Sequence, residues 1–242
     1  MKWVRDTTGR LPERPHYDPA ELDQECESLV AAFLRRKHGA VAYPLETNDL
    51  TILVEEEVDD LDLYADLSEE GTGVEGVTEF RAGARPTIRL SHQLSDLASK
   101  HQRLRTTLAH ELGHVRFHAF LWKGRVSASK PVGGEDTISG IRCHRESIVR
   151  ARFTDWMEWQ AGYACGALLM PASALDRVVK AEMERLRCSV PPFYGASVGK
   201  ALVRRVQRAF NTSADAARIR LLQRGYLIRE APRPAFLARV RR

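Results

Sequence analysis

The chain has 242 residues, 43% of them hydrophobic and 29% charged, a composition that supplies a sizeable core without disulfide staples. Its four cysteines form no C-x-x-C pair, its first residues include no apolar leader-like run, and no window reaches the roughly 18 apolar residues of a membrane helix. These features exclude a disulfide scaffold and a membrane-spanning protein, and we expect a soluble protein of a reducing, cytoplasmic compartment. The net charge of +5 conceals an asymmetry: Asp18 to Glu70 hold 16 acidic residues against three basic ones, whereas Lys200 to Arg242 hold 12 basic against two acidic. The acidic block suits solvated faces; the basic one suits either solvated helices or contact with phosphates.

In chain order, residues 1–17 mix charges with proline and glycine and predict an arm without a core pattern. Leu22, Cys26, Leu29, Val30 and Phe33 then recur at helical spacing, with Pro19 near the start and Gly39 as the stop. Residues 40–95 change texture to short runs, "LTILVEEEV", "GVTEFRAG" and "RPTIRLS", which predict a small antiparallel or mixed sheet. Leu104, Leu108, Leu112, Val115 and Ala119 form the apolar stripe of a second helix. Residues 123–144 lack periodicity and predict a long loop, and a third helix runs through "DWMEWQAGYACGALLM" to Pro171. Further on, "VGKALVRRVQRAFNTSADAARIRLLQRGYLI" predicts two short helices, the second capped by Asn211, Thr212 or Ser213, followed by a basic tail.

The second helix carries "TTLAHELGHVRFHAF". His110 and His114 fall one turn apart on one face, so that two imidazoles can grip one cation at about 2.0–2.1 Å. Glu111, rotated by about 100°, is too far round to ligate and is placed to act on a water beside the metal. His118 lies about 12 Å along the axis from His110, which excludes it as a third ligand on a continuous helix. Glu158 is the better candidate, because a carboxylate amid "DWMEWQAGYACGALLM" is costly to bury without a partner. The alternative is that Asp155 and Glu158 form a capping box at a helix start. Gly113 suggests that another backbone approaches the helix.

"RLRTTLAHELGHVRFH", "EWQAGYACGALLMP" and "VQRAFNTSADAARIRLLQRGYLI" together resemble the ImmA/IrrE family of bacterial metallopeptidases, in element order over roughly residues 20 to 228. The resemblance implies an α+β fold with a thermolysin-like helical core, a small N-terminal sheet and a helix-turn-helix-like C-terminal segment. It places an arm at 1–17, a metallopeptidase domain at 18–190, the helix-turn-helix-like segment at 191–230 and a basic tail at 231–242. It makes His110, His114 and Glu158 ligands of Zn2+, with Mn2+ or Fe2+ as alternatives, and Glu111 the general base. The implied substrate is a helix-turn-helix repressor whose cleavage releases a stress, phage-defence or mobile-element response. Where the family carries Asn or Asp beside its ligand histidine, this chain has Gly162.

Three points stay open on the sequence. The oxyanion helper lies among Tyr163, His118, His144 and Tyr43. Cys143, flanked by Arg142, His144 and Arg145, which favour its thiolate, is either an inhibitory fourth ligand or a small hydrophobe, whereas Cys26, Cys165 and Cys188 read as core. Arg204, Arg205, Arg208, Arg218, Arg220 and Arg224 either contact DNA, with single-stranded DNA as a possible activator, or simply solvate two helices. The rival classes are a DNA-associated regulator whose metal is not catalytic and a toxin-antitoxin module.

Overall fold

The computed structural model of the protein describes residues 1–9, 11–95, 98–123, 139–144 and 155–230. The predicted basic tail, 231–242, and most of the predicted loop lie outside them. The fold is α+β, and no helix among the described residues is long and apolar enough to cross a membrane.

The first 17 residues are not a featureless arm. Strand β1 (Lys2–Arg5) pairs antiparallel with β2 (Glu13–His16). The buried Asp6 carboxylate organises the turn, accepting from the backbone N–H groups of Thr8 at 2.9 Å and Leu11 at 3.0 Å. A hairpin held by a side-chain-to-backbone turn needs no apolar period, which is why periodicity missed it.

Helix α1 (Pro19–His38) runs between the expected signals: the Glu21 carboxylate accepts from the Asp18 N–H at 2.9 Å, and Gly39 ends the helix at φ 75°. "LTILVEEEV", expected as a strand, lies instead in helix α2 (Thr47–Glu57) and the residue after it. Its β-branched content suggested extended chain, but the buried residues Leu50, Leu53 and Val54 stand at i, i+3 and i+4, and that period decides.

The sheet is mixed, in the order β3 (Asp60–Ala65), β5 (Thr87–Ser91), β4 (Val74–Phe80) and β6 (Ser139–His144), with β3 parallel to β5 and the other pairs antiparallel. Residues 139–144 therefore form a strand rather than loop. The unpaired edge of β4 gives an extended segment main-chain partners whatever its side-chain pattern.

The helices that follow are α3 (His92–Ser95), α4 (His101–His118), α5 (Phe120–Lys123), α6 (Trp156–Leu169), α7 (Ala172–Arg185), α8 (Ser197–Phe210) and α9 (Ala214–Gln223). Helix α4 lies at the centre, with Leu108, Leu112 and Val115 buried as the stripe requires. Asn211 closes α8 in the left-handed region at φ 50°, and of the three capping candidates it is the Ser213 hydroxyl that accepts, from Ala216 N–H at 3.1 Å. Leu202, Val206, Phe210 and Leu221 of this pair share one core with Leu22 and Val30 of α1 and Leu168 of α6.

Polar anchoring joins the ends of the chain beneath that core. The fully buried Arg220 donates to Asp23 Oδ1 at 2.5 Å and to the Met170 carbonyl at 3.3 Å, Arg224 donates to Asp23 Oδ2 at 2.7 Å, and the Tyr163 hydroxyl reaches Asp23 Oδ2 at 3.1 Å. The Arg220 guanidinium also lies 5.2 Å from the Tyr163 ring centroid. Removing one partner of such a pair leaves a buried charge uncompensated, so D23A should lose about 3–5 kcal/mol of stability. Urea unfolding of D23A beside wild type measures the loss.

Candidate metal centre

The geometry of the centre follows from how closely α6 approaches α4. A Cβ built on Gly113 would lie 3.0 Å from the Cα and the carbonyl oxygen of Ala161 and 3.2 Å from Ala164 Cβ. The missing side chain at 113 thus lets the two backbones meet, as the sequence suggested. The helices run in opposite directions: Glu158 faces His110 and His114, while Cys165, two turns on, donates to the Thr106 carbonyl at 3.3 Å.

Three ligand-type groups converge there. His114 Nε2 stands 3.1 Å from His110 Nε2, His114 Nε2 is 3.2 Å from Glu158 Oε1, and His110 Nε2 is 3.3 Å from Glu158 Oε2. Ligand atoms of the three all lie within 4.8 Å of one another. Both histidines are fully buried and Glu158 is 8% exposed. Electron-rich groups brought this close need positive charge between them. A tetrahedral cation with ligands at about 2.0–2.1 Å sets its donor atoms about 3.3 Å apart, so the observed spacings fit it. The electrostatics agree. Burial works against the Glu158 anion, yet the hydrogen bonds from His110 and His114, and their charge, hold its carboxyl far below the usual range. Burial likewise opposes charge on His114, but Glu158 outweighs it and raises the imidazole.

Asp155 and Glu158 do not form a capping box. Asp155 Oδ1 alone caps α6, accepting from Met157 N–H at 3.2 Å and Glu158 N–H at 3.4 Å, which leaves the Glu158 side chain to the histidines.

Glu111 packs against β4. The Thr78 hydroxyl donates to its Oε2 at 2.5 Å, while Oε1 is buried with no hydrogen-bond partner among the described residues. A Cβ on Gly76 would stand 2.5 Å from Oε1, so only glycine admits the carboxylate beneath the strand. Sequence reasoning did not single out Gly76 or Thr78. The signal was present: a glycine within a strand marks a close approach, and residues two apart share one face.

No known family model matches the chain. No curated protein matches it either. The reading of the site therefore stands on its residues.

Of the candidate oxyanion helpers, Tyr163 is turned to Asp23, and Tyr43 packs its ring 6.2 Å from Phe210. His118 is fully buried and contacts His114 and Gln160 rather than the centre of the trio. Burial and the charge of His114 push its pKa well below the ordinary value. The side chains of His144 and Cys143 lie outside the described residues; the Cys143 main chain is placed, its Cα opposite Gly76 in the β4–β6 register. Cys26 and Cys165 are core as expected, and burial pushes the Cys165 thiol up to about 12. Cys188 is not core: it is partly exposed beyond the end of α7, with its thiol on the Val190 carbonyl. Gly162 borders a cavity of about 50 Å³ together with Thr106, Cys165 and Arg220.

The basic residues divide. Arg220 is inside the protein and Arg224 is held by Asp23 and Asp176, so neither is free to meet phosphates. Arg204, Arg205 and Arg208 are exposed on α8, and Arg218 is partly exposed, paired with Asp215 at 3.0 Å.

The helix contact supplies a direct test. G113V places branched atoms against the Ala161 backbone, and we expect it to cost about 1–3 kcal/mol and to weaken divalent-metal binding, because Glu158 is carried on the displaced helix. Urea unfolding and Zn2+ titration of the same preparation check the two effects.

Proposed function

We propose that this protein is a metal-dependent endopeptidase of the ImmA/IrrE type, with His110, His114 and Glu158 holding one divalent cation and Glu111 acting as general base. The observation that carries the reading is the convergence of two imidazoles and a carboxylate beside a buried glutamate, Glu111, that has one oxygen unpartnered among the described residues. His-His-Glu is a set that leaves a coordination position open, whereas structural zinc sites are closed and usually rich in cysteine. Zn2+ suits the set best, and Mn2+ and Fe2+ suit it too. The thermolysin-like arrangement of the core and the helix-turn-helix character of α8 and α9 belong to the same proposal and rest on the sequence resemblance.

A cation so held supplies Lewis-acid polarisation of a carbonyl and acidification of water. The chain's own residues do the rest. Glu111 Oε1 takes a proton from the attacking water, a carbon–oxygen bond forms as the carbon–nitrogen bond breaks, and Glu111 returns the proton to the leaving amine. Thr78 holds the other carboxylate oxygen, so the proton-accepting atom keeps a fixed direction. Exclusion of water around Glu111 strengthens these interactions.

The resemblance points to a helix-turn-helix repressor as the substrate, and the cysteine usage of the sequence to a cytoplasmic protein. DNA contact, with single-stranded DNA as activator, is proposed on the arginines left exposed: Arg204, Arg205 and Arg208, with Arg218 at the margin.

E111Q should keep one equivalent of Zn2+ and lose cleavage of a helix-turn-helix repressor encoded beside its gene by about 10²–10⁴-fold; H110A and E158A should lose the metal itself. Metal analysis and a cleavage time course read both, and an E111Q protein that cuts at the wild-type rate sinks the mechanism. For DNA, affinity for a single-stranded oligonucleotide should fall with salt, and R205A/R208A should flatten the log–log slope by roughly 1.4, about 0.7 per lost phosphate contact. Binding that ignores salt removes this part of the proposal.

A further inference from the structure

A chain of hydrogen bonds runs from the N-terminal hairpin to the candidate metal centre. Gln160 Nε2 donates to the Pro15 carbonyl at 2.9 Å, Gln160 Oε1 stands 3.0 Å from His118 Nε2, and His118 Nδ1 stands 3.1 Å from His114 Nδ1. Gln160, His118 and His114 are at most 1% exposed, so water does not complete these contacts. The Trp156 ring meets the His118 ring edge-on at 5.4 Å, and Arg14, next to Pro15, lies over the same indole at 5.7 Å, so packing as well as hydrogen bonding joins β2 to this corner.

The direction of the chain is fixed at its outer end. A backbone carbonyl only accepts, so the Gln160 end that faces Pro15 is its NH2 group. The other end is then the amide oxygen, which also only accepts, and His118 must carry its proton on Nε2. A neutral imidazole has one N–H, which leaves His118 Nδ1 bare and an acceptor. His114 must therefore donate from Nδ1. Without a cation the Nε2 atom, 3.1 Å from His110 Nε2 and 3.2 Å from Glu158 Oε1, carries the proton that meets Glu158. A ligand histidine must be neutral, so with Nδ1 holding its proton it is Nε2 that gives its proton up and offers a lone pair to the cation.

We propose that His118 and Gln160 are positioning residues for the metal ligand His114, and that the N-terminal hairpin, through the Pro15 carbonyl, sets the tautomer in which His114 presents a bare Nε2 to the cation. The inference rests on the metal reading above. His110 has no such support: its Nδ1 is buried without a hydrogen-bond partner among the described residues. Among the described residues the relay thus serves one ligand. It also gives His118, too distant along the helix to ligate, a role in the centre through its neighbour. Partners that fix a ligand histidine typically change metal affinity about 10–100-fold.

The test uses the full chain stripped by chelator, with Zn2+ affinity measured by competition against a chromophoric chelator. H118F leaves His114 Nδ1–H without an acceptor and should weaken Zn2+ binding about 10–100-fold. H118Q offers an amide oxygen to His114 and an NH2 group to Gln160, preserving the direction of the chain, and should recover most of the loss. Q160M breaks the link to Pro15 and should weaken binding less than H118F. A role in packing alone predicts no recovery in H118Q. Independently of any variant, ¹⁵N-edited spectra of the histidine rings in the zinc-loaded wild type should show His118 as the Nε2–H tautomer and His114 protonated on Nδ1. An H118F protein that binds Zn2+ like wild type, or a His118 ring protonated on Nδ1, overturns the proposal and leaves the metal reading intact. A wild-type protein that binds no Zn2+, or binds it equally well as H110A, overturns the metal reading itself and this proposal with it.

Discussion

Everything in the centre depends on two helices approaching at a glycine. With hydrogen in place of a side chain at 113, the Ala161 backbone comes down onto α4, and Glu158, one turn earlier on α6, arrives within 3.2–3.3 Å of two histidine nitrogens. Helix α4 then serves a different neighbour with each face. His110 and His114 look to α6; Glu111, about 100° round the axis, looks to β4; and Leu108, Leu112 and Val115 fill the core. The separation of the two histidines from Glu111 is a consequence of the helical repeat. It suits the proposed chemistry because the sheet lies where the repeat sends Glu111, with Thr78 and Gly76 shaping the space around its two oxygens.

The charge asymmetry resolves through contact between the two blocks. Asp23, in the acidic segment, draws Arg220 and Arg224 from the basic one, and that ion pair with its hydrogen bonds ties α9 to α1 beneath the core. Within the acidic block two cations are answered locally: Lys37 meets Asp49, which His38 also contacts, and Arg36 pairs with Glu56. Counting charges along the chain cannot separate an arginine that knits the fold from one that faces solvent. Arg208 and Arg220 look alike in sequence, and one is exposed while the other is wholly buried.

How much was legible follows the same physical lines. Helices with strong punctuation were readable: Pro19 and Gly39 frame α1, Pro171 lies just past the end of α6, and Ser213 caps α9. The convergence of His110, His114 and Glu158 was readable because it combines a helical repeat with one carboxylate in apolar company. Features made by tertiary pairing were not. The N-terminal hairpin is closed by Asp6 rather than by apolar alternation, residues 139–144 become a strand through the edge of β4, and α2 carries strand-like residues on a helical period. Gly76, Thr78 and Gln160 belong to the site through contacts across 33 to 145 positions of sequence, a range that local pattern does not reach.

The support for the centre is distributed over segments that do not neighbour one another in sequence. Residues 2–16 direct His114 through Gln160 and His118, residues 74–80 orient Glu111 through Thr78, and Asp155 fixes the helix start that presents Glu158. The Thr78 and Gln160 props are hydrogen bonds closed to water, and a buried polar group that loses its partner costs roughly 1–3 kcal/mol. Detaching the hairpin would therefore strand Gln160 Nε2 as well as loosen His114. That is a reason for a short two-stranded hairpin, marginal in isolation, to be held against the core by Asp6, Pro15 and Arg14 rather than left free. His110, with no such prop among the described residues, has its ring set by the groups it faces, His114 and Glu158.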